Sequence, residues 1–109
     1  MPQATFVHDG QHIDYTPTTA VAAGEVVVLG DLIGVAKSPI AANTRGALTV
    51  MGVFDFAKAT GTALAVGTIV YWDNTNKVAT ATATGNKLLG KVVRAAAASD
   101  TTVRVRLQP

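Results

Sequence analysis

The chain has 109 residues, a length that predicts a single domain. It contains no cysteine, which excludes disulfides, thiolate metal sites and cysteine nucleophiles. Charged residues make up only 15% of the chain, and no apolar run approaches the ~18 residues of a membrane span. We therefore expect a protein without a membrane anchor or signal peptide, part of whose weakly charged surface is covered by other subunits.

The few charges are unevenly distributed along the chain. Up to Asp73 there are three basic and six acidic residues, which gives −3, whereas six basic residues and one acidic residue from Lys77 onward give +5. Such an asymmetry favours oriented contacts with copies of the chain or with an acidic partner. Chance clustering on a solvated surface would give the same pattern, so both interpretations stay open.

Short apolar runs, rich in β-branched residues, recur between Gly, Asn, Asp and Pro residues. In chain order they are EVVVL (25–29), LIGVA (32–36), ALTVMGVF (47–54), TIVYW (68–72), KVATATAT (77–84), KLLGKVV (87–93) and TVRVRL (102–107). In the last run Val103, Val105 and Leu107 share one face, while Arg104 and Arg106 share the other. Period-two alternation predicts half-buried strands, and their close spacing predicts an all-β fold, either a small barrel or a sandwich.

Two further segments have local predictions of their own. DNTNK (73–77) is rich in residues that tolerate a left-handed backbone, so it predicts a hairpin loop. The alanines of VVRAAAASD (92–100) favour at most one or two helical turns, although a tight loop packed under the barrel would suit them equally. We expect residues 1–16 to form either an N-terminal arm or the first hairpin, and residues 17–109 to form a single β-rich domain.

One stretch of the chain is echoed by another. TAVAAGEVVV (19–28) aligns without gaps to TALAVGTIVY (62–71), and the looser pair LIGVA and LLGKVV makes Gly34 the counterpart of Gly90. This repetition predicts two similar β-units packed face to face. Gly24 and Gly67 would each set the turn before a strand, where a side chain would force an unfavourable φ.

The stretch GNKLLGKV (85–92) resembles the opening of a phosphate-binding loop, but it fails at three points. Val92 stands where a Ser or Thr hydroxyl should hold Mg²⁺. Leu88 and Leu89 would point into the phosphate cradle, and no strand–helix series supplies a parallel sheet. A strand with a glycine where two backbones approach explains the stretch better.

Other candidate sites are weak. His8 and His12, with Asp9 and Asp14 nearby, could bind zinc from one face of a strand, but Gly10 interrupts the segment and no third ligand is evident. No serine has the surroundings of an activated nucleophile. We therefore expect no catalytic site, no metal and no cofactor.

Four segments of the chain resemble small phage and prophage proteins known as capsid cement or decoration proteins, once labelled predicted phage recombinases. They are FVHDGQHIDYT (6–16), AVAAGEVVVLGDLIGVA (20–36), VMGVFDFAKATGTALAVGTIVYWD (50–73) and TATGNKLLGKVVRAAAASDTTVRVRL (82–107). The resemblance implies a β-rich structural subunit, usually trimeric, that is made in the bacterial cytoplasm and binds the major capsid protein on the outside of an icosahedral head. The recombinase label finds no support, because the only ATP-loop lookalike fails.

The expected contacts with the capsid or a neighbouring subunit come from the weakly alternating N-terminal stretch and from the basic second half. They are Phe6, Ile13, Tyr15, Lys91, Arg94, Arg104 and Arg106. Two other functions stay open. A β-barrel binding module for sugars or peptides, such as an adhesin, would need an exposed aromatic or polar cleft. A nucleic-acid-processing factor would need a continuous basic groove.

Overall fold

The structure is a computed structural model that describes residues 3–5 and 10–107. These ranges contain nine β-strands and no helix, so the predicted all-β class is confirmed. None of the described segments forms a helix that could cross a membrane. The strands are β1 (His12–Tyr15), β2 (Val26–Leu29), β3 (Leu32–Val35), β4 (Gly46–Thr49), β5 (Gly52–Ala57), β6 (Ile69–Asp73), β7 (Val78–Thr80), β8 (Lys87–Arg94) and β9 (Thr102–Leu107).

The strands form two antiparallel sheets. Sheet 1 has the order β1-β4-β3-β2, and sheet 2 has the order β5-β9-β8-β6-β7. Neither sheet closes into a barrel, so the sandwich-like alternative is the one observed. A single bridge between Lys58 and Ala79 brings the end of β5 against β7, which indicates that sheet 2 is strongly curled.

The two sheets repeat one strand arrangement, as the sequence echo predicted. Apart from β7, each sheet places its first strand along the chain beside its fourth, the fourth beside the third, and the third beside the second. Gly67 follows Gly24 by 43 residues, whereas Gly90 follows Gly34 by 56 residues, so the second unit has 13 extra residues. The extra length lies between β6 and β8 and contains β7.

The turns before β2 and β6 are built alike. The Gly24 N–H donates to the Ala36 carbonyl at 2.6 Å, and the Gly67 N–H donates to the Val92 carbonyl at 2.8 Å. The two glycines have φ values of 83° and 89°, a left-handed backbone that strains residues with a β-carbon. Their predicted role in these turns is confirmed.

The main core lies between the sheets. Sheet 2 contributes most of its buried residues, and sheet 1 contributes one face of β2 and β3, namely Val26, Val28, Ile33 and Val35. A second cluster covers the opposite face of sheet 1, where the buried residues are Val21, Ala36, Ile40 and Leu48. The half-buried residues Ile13, Tyr15, Val27 and Leu29 pack against this second cluster.

The structure corrects the prediction for residues 47–54 and decides between the two alternatives for residues 92–100. The run at 47–54 is not one strand, because β4 and β5 belong to different sheets and the chain turns between them before Gly52, whose φ is 124°. At 92–100 the loop alternative is observed: residues 92–94 complete β8, and Ala96 bridges to Leu64. The hairpin predicted at 73–77 is present between β6 and β7.

Candidate functional site

One side of sheet 2 faces away from the main core. Val103, Val105 and Leu107 of β9 are buried, so the alternating residues Arg104 and Arg106 point outward. The strand register then aligns one outward row across four strands, which consists of Ile69, Lys91, Arg106 and Val53. A second row consists of Arg94, Arg104 and Asp55. We call these seven residues together the basic face.

Asp55 is the acidic residue of the basic face, and it forms a two-point contact with Arg104. The Arg104 Nε donates to Asp55 Oδ1 at 2.9 Å, and the Arg104 Nη2 donates to Asp55 Oδ2 at 3.2 Å. This hydrogen bonding lowers the pKa of Asp55, and Arg94 lowers it further by its charge. The positive charge of Arg104 is therefore paired with a carboxylate of the same chain.

The other three cations, Lys91, Arg94 and Arg106, form no ion pair with any part of the chain that the structure describes. Two exposed apolar side chains flank Lys91 and Arg106 at the ends of the first row, Val53 at 53% and Ile69 at 46%. Exposed apolar groups among unpaired cations are typical of a surface that contacts a partner.

The predicted contact residues fall into two groups. Lys91, Arg94, Arg104 and Arg106 come together on the basic face. Ile13 and Tyr15 lie on β1 in the other sheet, half-buried against the second cluster, and Phe6 lies outside the described residues.

Sequence reasoning missed three members of the basic face, Val53, Ile69 and Asp55. The alternation of β5 and β6 would have placed them on one face of a strand. The strand order that sets them beside the cations depends on contacts between distant parts of the chain.

A family model described as "phage cement protein" matches residues 7–107, nearly the whole chain. The chain belongs to the phage cement protein family. This cement protein is therefore a structural protein of bacteriophages, as the sequence resemblance indicated. No curated protein and no solved structure matches it.

The phosphate-loop lookalike of this cement protein lies in a strand. Residues 87–94 are β8, paired with antiparallel neighbours on both sides, and Gly90 sits within it. A β-carbon on Gly90 would collide with the backbone carbonyl of Arg106, so glycine is required by the close approach of two strands. The interpretation given from the sequence is confirmed.

The remaining candidate sites are not assembled in the described residues. His12 and Asp14 lie on β1, while His8 and Asp9 fall outside the described ranges, and no group of three metal-ligating residues occurs within those ranges.

A cleft of about 500 Å³ opens between the two sheets of the cement protein. Its walls include Phe54, Phe56 and Trp72 from sheet 2, with Val26 and Val35 from sheet 1. Phe56 and Trp72 are each only 4% exposed, so their rings are packed into the core. Of the three aromatic rings on the walls, only Phe54 is partly exposed, so the cleft offers one ring where a sugar-binding module would need an exposed aromatic platform.

Proposed function

We propose that this cement protein binds the outer surface of the assembled phage head through its basic face and stabilises the shell. Its partner would be the major capsid protein, and its location the exterior of the virion after synthesis in the host cytoplasm. Two observations support the proposal: membership of the cement family over residues 7–107, and a sheet face where exposed apolar side chains flank unpaired cations. The basic face is the observation that carries it.

The mechanism requires only weak individual contacts. Lys91, Arg94 and Arg106 would meet acidic groups of the shell, and Val53 and Ile69 would bury apolar area on either side of Lys91 and Arg106. A homo-oligomer, which we propose to be a trimer, would make several such contacts at once and gain affinity by avidity. A ligand that binds only the assembled shell stabilises it by mass action.

The test removes two cations of the basic face without touching the core. The double variant Lys91→Gln, Arg106→Gln should bind expanded heads roughly tenfold more weakly or worse, and the affinity of the unaltered protein should fall with added salt. The matched control is Lys37→Gln, Arg45→Gln, because both residues are exposed cations in the first unit.

Co-sedimentation with heads that lack the protein, followed by electron microscopy, measures the binding. Equal head binding by the basic-face variant and the control would contradict the proposal. A monomer that retards DNA at physiological salt would instead favour the nucleic-acid-processing alternative.

We also propose a separate role for the start of the chain, as an arm that adds a strand to a sheet edge of the capsid protein. Strand β1 is part of sheet 1, so the test removes only residues 1–9 and keeps β1. Weaker head binding with unchanged thermal unfolding is expected. Unchanged head binding would remove the arm from the mechanism.

A further inference from the structure

The outer edge of β2 is open where the equivalent edge in the second unit is covered. In sheet 2, β7 pairs with the outer edge of β6, with Tyr71 opposite Thr80. By the 43-residue offset of the repeat, Val28 is the counterpart of Tyr71. In the described part of the chain β2 pairs only with β3, so nothing there takes the place of β7.

The hydrogen bonds identify the open groups. The Ala36 N–H donates to the Glu25 carbonyl at 3.0 Å, so by strand alternation Val27 and Leu29 direct their backbone groups toward β3. Val26 and Val28 therefore direct theirs outward. Strand β2 contains only Val and Leu, without the charge or proline that usually protects an edge strand.

The opposite edge of the same sheet has a matching pattern. The Val50 N–H donates to the Gln11 carbonyl at 2.9 Å, so Ile13 and Tyr15 direct their backbone groups toward β4. His12 and Asp14 therefore direct theirs outward. The side chains match as well, because those of Ile13 and Tyr15 lie half-buried on the second cluster, the face to which β2 contributes Val27 and Leu29.

We propose that β1 of one copy pairs with β2 of a second copy, so that sheet 1 continues from subunit to subunit. All neighbours in sheet 1 are antiparallel, so β1 and β2 run in opposite directions. A second copy whose strands run in the same directions as those of the first can therefore place its β1 antiparallel to β2 of the first copy. No inversion or refolding of either chain is needed.

One register uses all the open groups of both strands. It sets His12 of one copy opposite Val28 of the other, and Asp14 opposite Val26. Ile13 then lies opposite Val27 on the face of the second cluster, and Tyr15 and Leu29 lie diagonal to this pair. Ile13 and Val27 form a non-hydrogen-bonded pair, with Cα atoms about 4.5 Å apart.

The contact joins two different edges, so it is heterologous. Copies joined in this way form a ring where the rotation between neighbours closes, of which a trimer is one case, and an open filament where it does not. This inference rests on the homo-oligomer of the proposed function but not on head binding. It assigns the subunit contact to β1 and β2, and it leaves the basic face free for the shell.

The test uses the absence of cysteine from the chain. The double variant I13C/V27C should form disulfide-linked multimers on mild oxidation. A bond within one chain is excluded, because β4 and β3 separate the two strands by about 14 Å, twice the reach of a disulfide. The single variants I13C and V27C should stay unlinked, because like edges do not meet.

Non-reducing electrophoresis and light scattering give the outcomes, with circular dichroism to check the fold of each variant. Linked multimers from the double variant alone support the inference. Cross-linking of V27C alone would overturn it in favour of β2–β2 pairing. A protein that is monomeric at its highest soluble concentration, or an oligomer that the double variant does not link, would also overturn it.

A backbone variant gives an independent measurement. Val28→Pro removes an outward N–H without removing a bond to β3, and proline is tolerated on such edges. Val28→Ala shortens the same side chain but keeps the N–H, so it is the matched control. We expect Val28→Pro to reduce the oligomer to monomers and Val28→Ala to retain it. The same oligomeric state for both variants would overturn the proposed pairing of β1 with β2. No head is present in these assays, so their failure is distinguishable from a failure of head binding.

Discussion

Lys58 is a buried lysine whose side chain has no carboxylate partner in the described residues. It is only 4% exposed, and its Nζ donates to the carbonyls of Ala59, Ala98 and Asp100 at 2.9, 3.4 and 3.4 Å. Two of these carbonyls belong to the loop between β8 and β9. Lys58 therefore ties that loop to the end of β5.

Replacing Lys58 with methionine should keep the apolar stem and remove the hydrogen bonds. The loss of these hydrogen bonds from a charged donor to part-buried carbonyls should lower the free energy of unfolding, here by about 2 kcal/mol. The control Lys37→Met changes an exposed lysine and should have little effect. Urea unfolding measures both. Equal stability of the two variants would contradict this account of Lys58.

Asp73 organises the hairpin between β6 and β7. Its carboxylate accepts hydrogen bonds from the N–H groups of Thr75 and Asn76 and from the Asn76 side chain, at 3.0, 3.1 and 2.8 Å. The backbone hydrogen bond of Asn76, and then its side chain, lower the pKa of Asp73. The hairpin is thus held by the ionised form of this residue.

The lowered pKa predicts a pH dependence of stability. A carboxyl whose pKa is depressed in the folded state stabilises the protein fully above its unfolded pKa, near 3.9, and the contribution is lost as pH falls through the folded value. Asp73→Asn should therefore lower Tm at pH 7, and its difference from the parent should shrink below about pH 4. Thermal unfolding between pH 7 and pH 2 measures this. A difference that stays constant with pH would contradict the role of the ionised carboxylate.

At the scale of the strands, the repeat predicts paired responses to glycine substitutions. A β-carbon at Gly24 or Gly67 would meet no atom within 4 Å, so the cost of alanine is backbone strain alone, about 1–2 kcal/mol at each. At Gly90 the same β-carbon would strike the backbone of β9, and the strands would have to separate.

We therefore expect Gly24→Ala and Gly67→Ala to lower the free energy of unfolding by similar amounts, and Gly90→Ala to lower it more than either. Chemical denaturation of the three variants tests the order. Similar losses of stability at all three positions would show that β8 and β9 separate at little cost, and would contradict the importance of the close contact between Gly90 and Arg106.

Local patterns in the sequence predicted those strands and turns that depend on neighbouring residues. The alternation of TVRVRL and the repeated glycine turns led directly to β9 and to the two units. The boundary between β4 and β5 was missed, because an unbroken apolar run looks the same whether it stays in one sheet or crosses into another. The roles of Lys58 and of β7 also depend on contacts far apart in the chain.

The basic face, too, could be predicted from the sequence only where it depends on neighbouring residues. Alternation could place Arg104 and Arg106 on one face of a strand, and the basic composition of the second half suggested a partner of opposite charge. Lys91 and Arg94 join them only because β8 pairs with β9, and Val53 joins them because β5 pairs with β9 across a separation of about 50 residues. Residue order alone does not specify these pairings.

The whole molecule joins its two units through one shared core. Ile33 belongs to sheet 1 but is buried in the main core together with Leu89, Val92 and Trp72 of sheet 2. Neither sheet would keep its apolar face covered if the other unfolded. The two units should therefore unfold as one cooperative structure despite their similar internal arrangement.

Trp72 is the only tryptophan of the chain, and it lies in the second unit, so its fluorescence reports on that unit while far-UV circular dichroism reports on both. We expect coincident urea transitions from the two signals. Ile33→Ala should shift both equally, by roughly 3 kcal/mol, although the change lies in the first unit. Val66→Ala is the control, since Val66 is 65% exposed. If Ile33→Ala moved the dichroism signal but left the Trp72 transition in place, the units would be independent domains, and the continuous core between the sheets would not couple them.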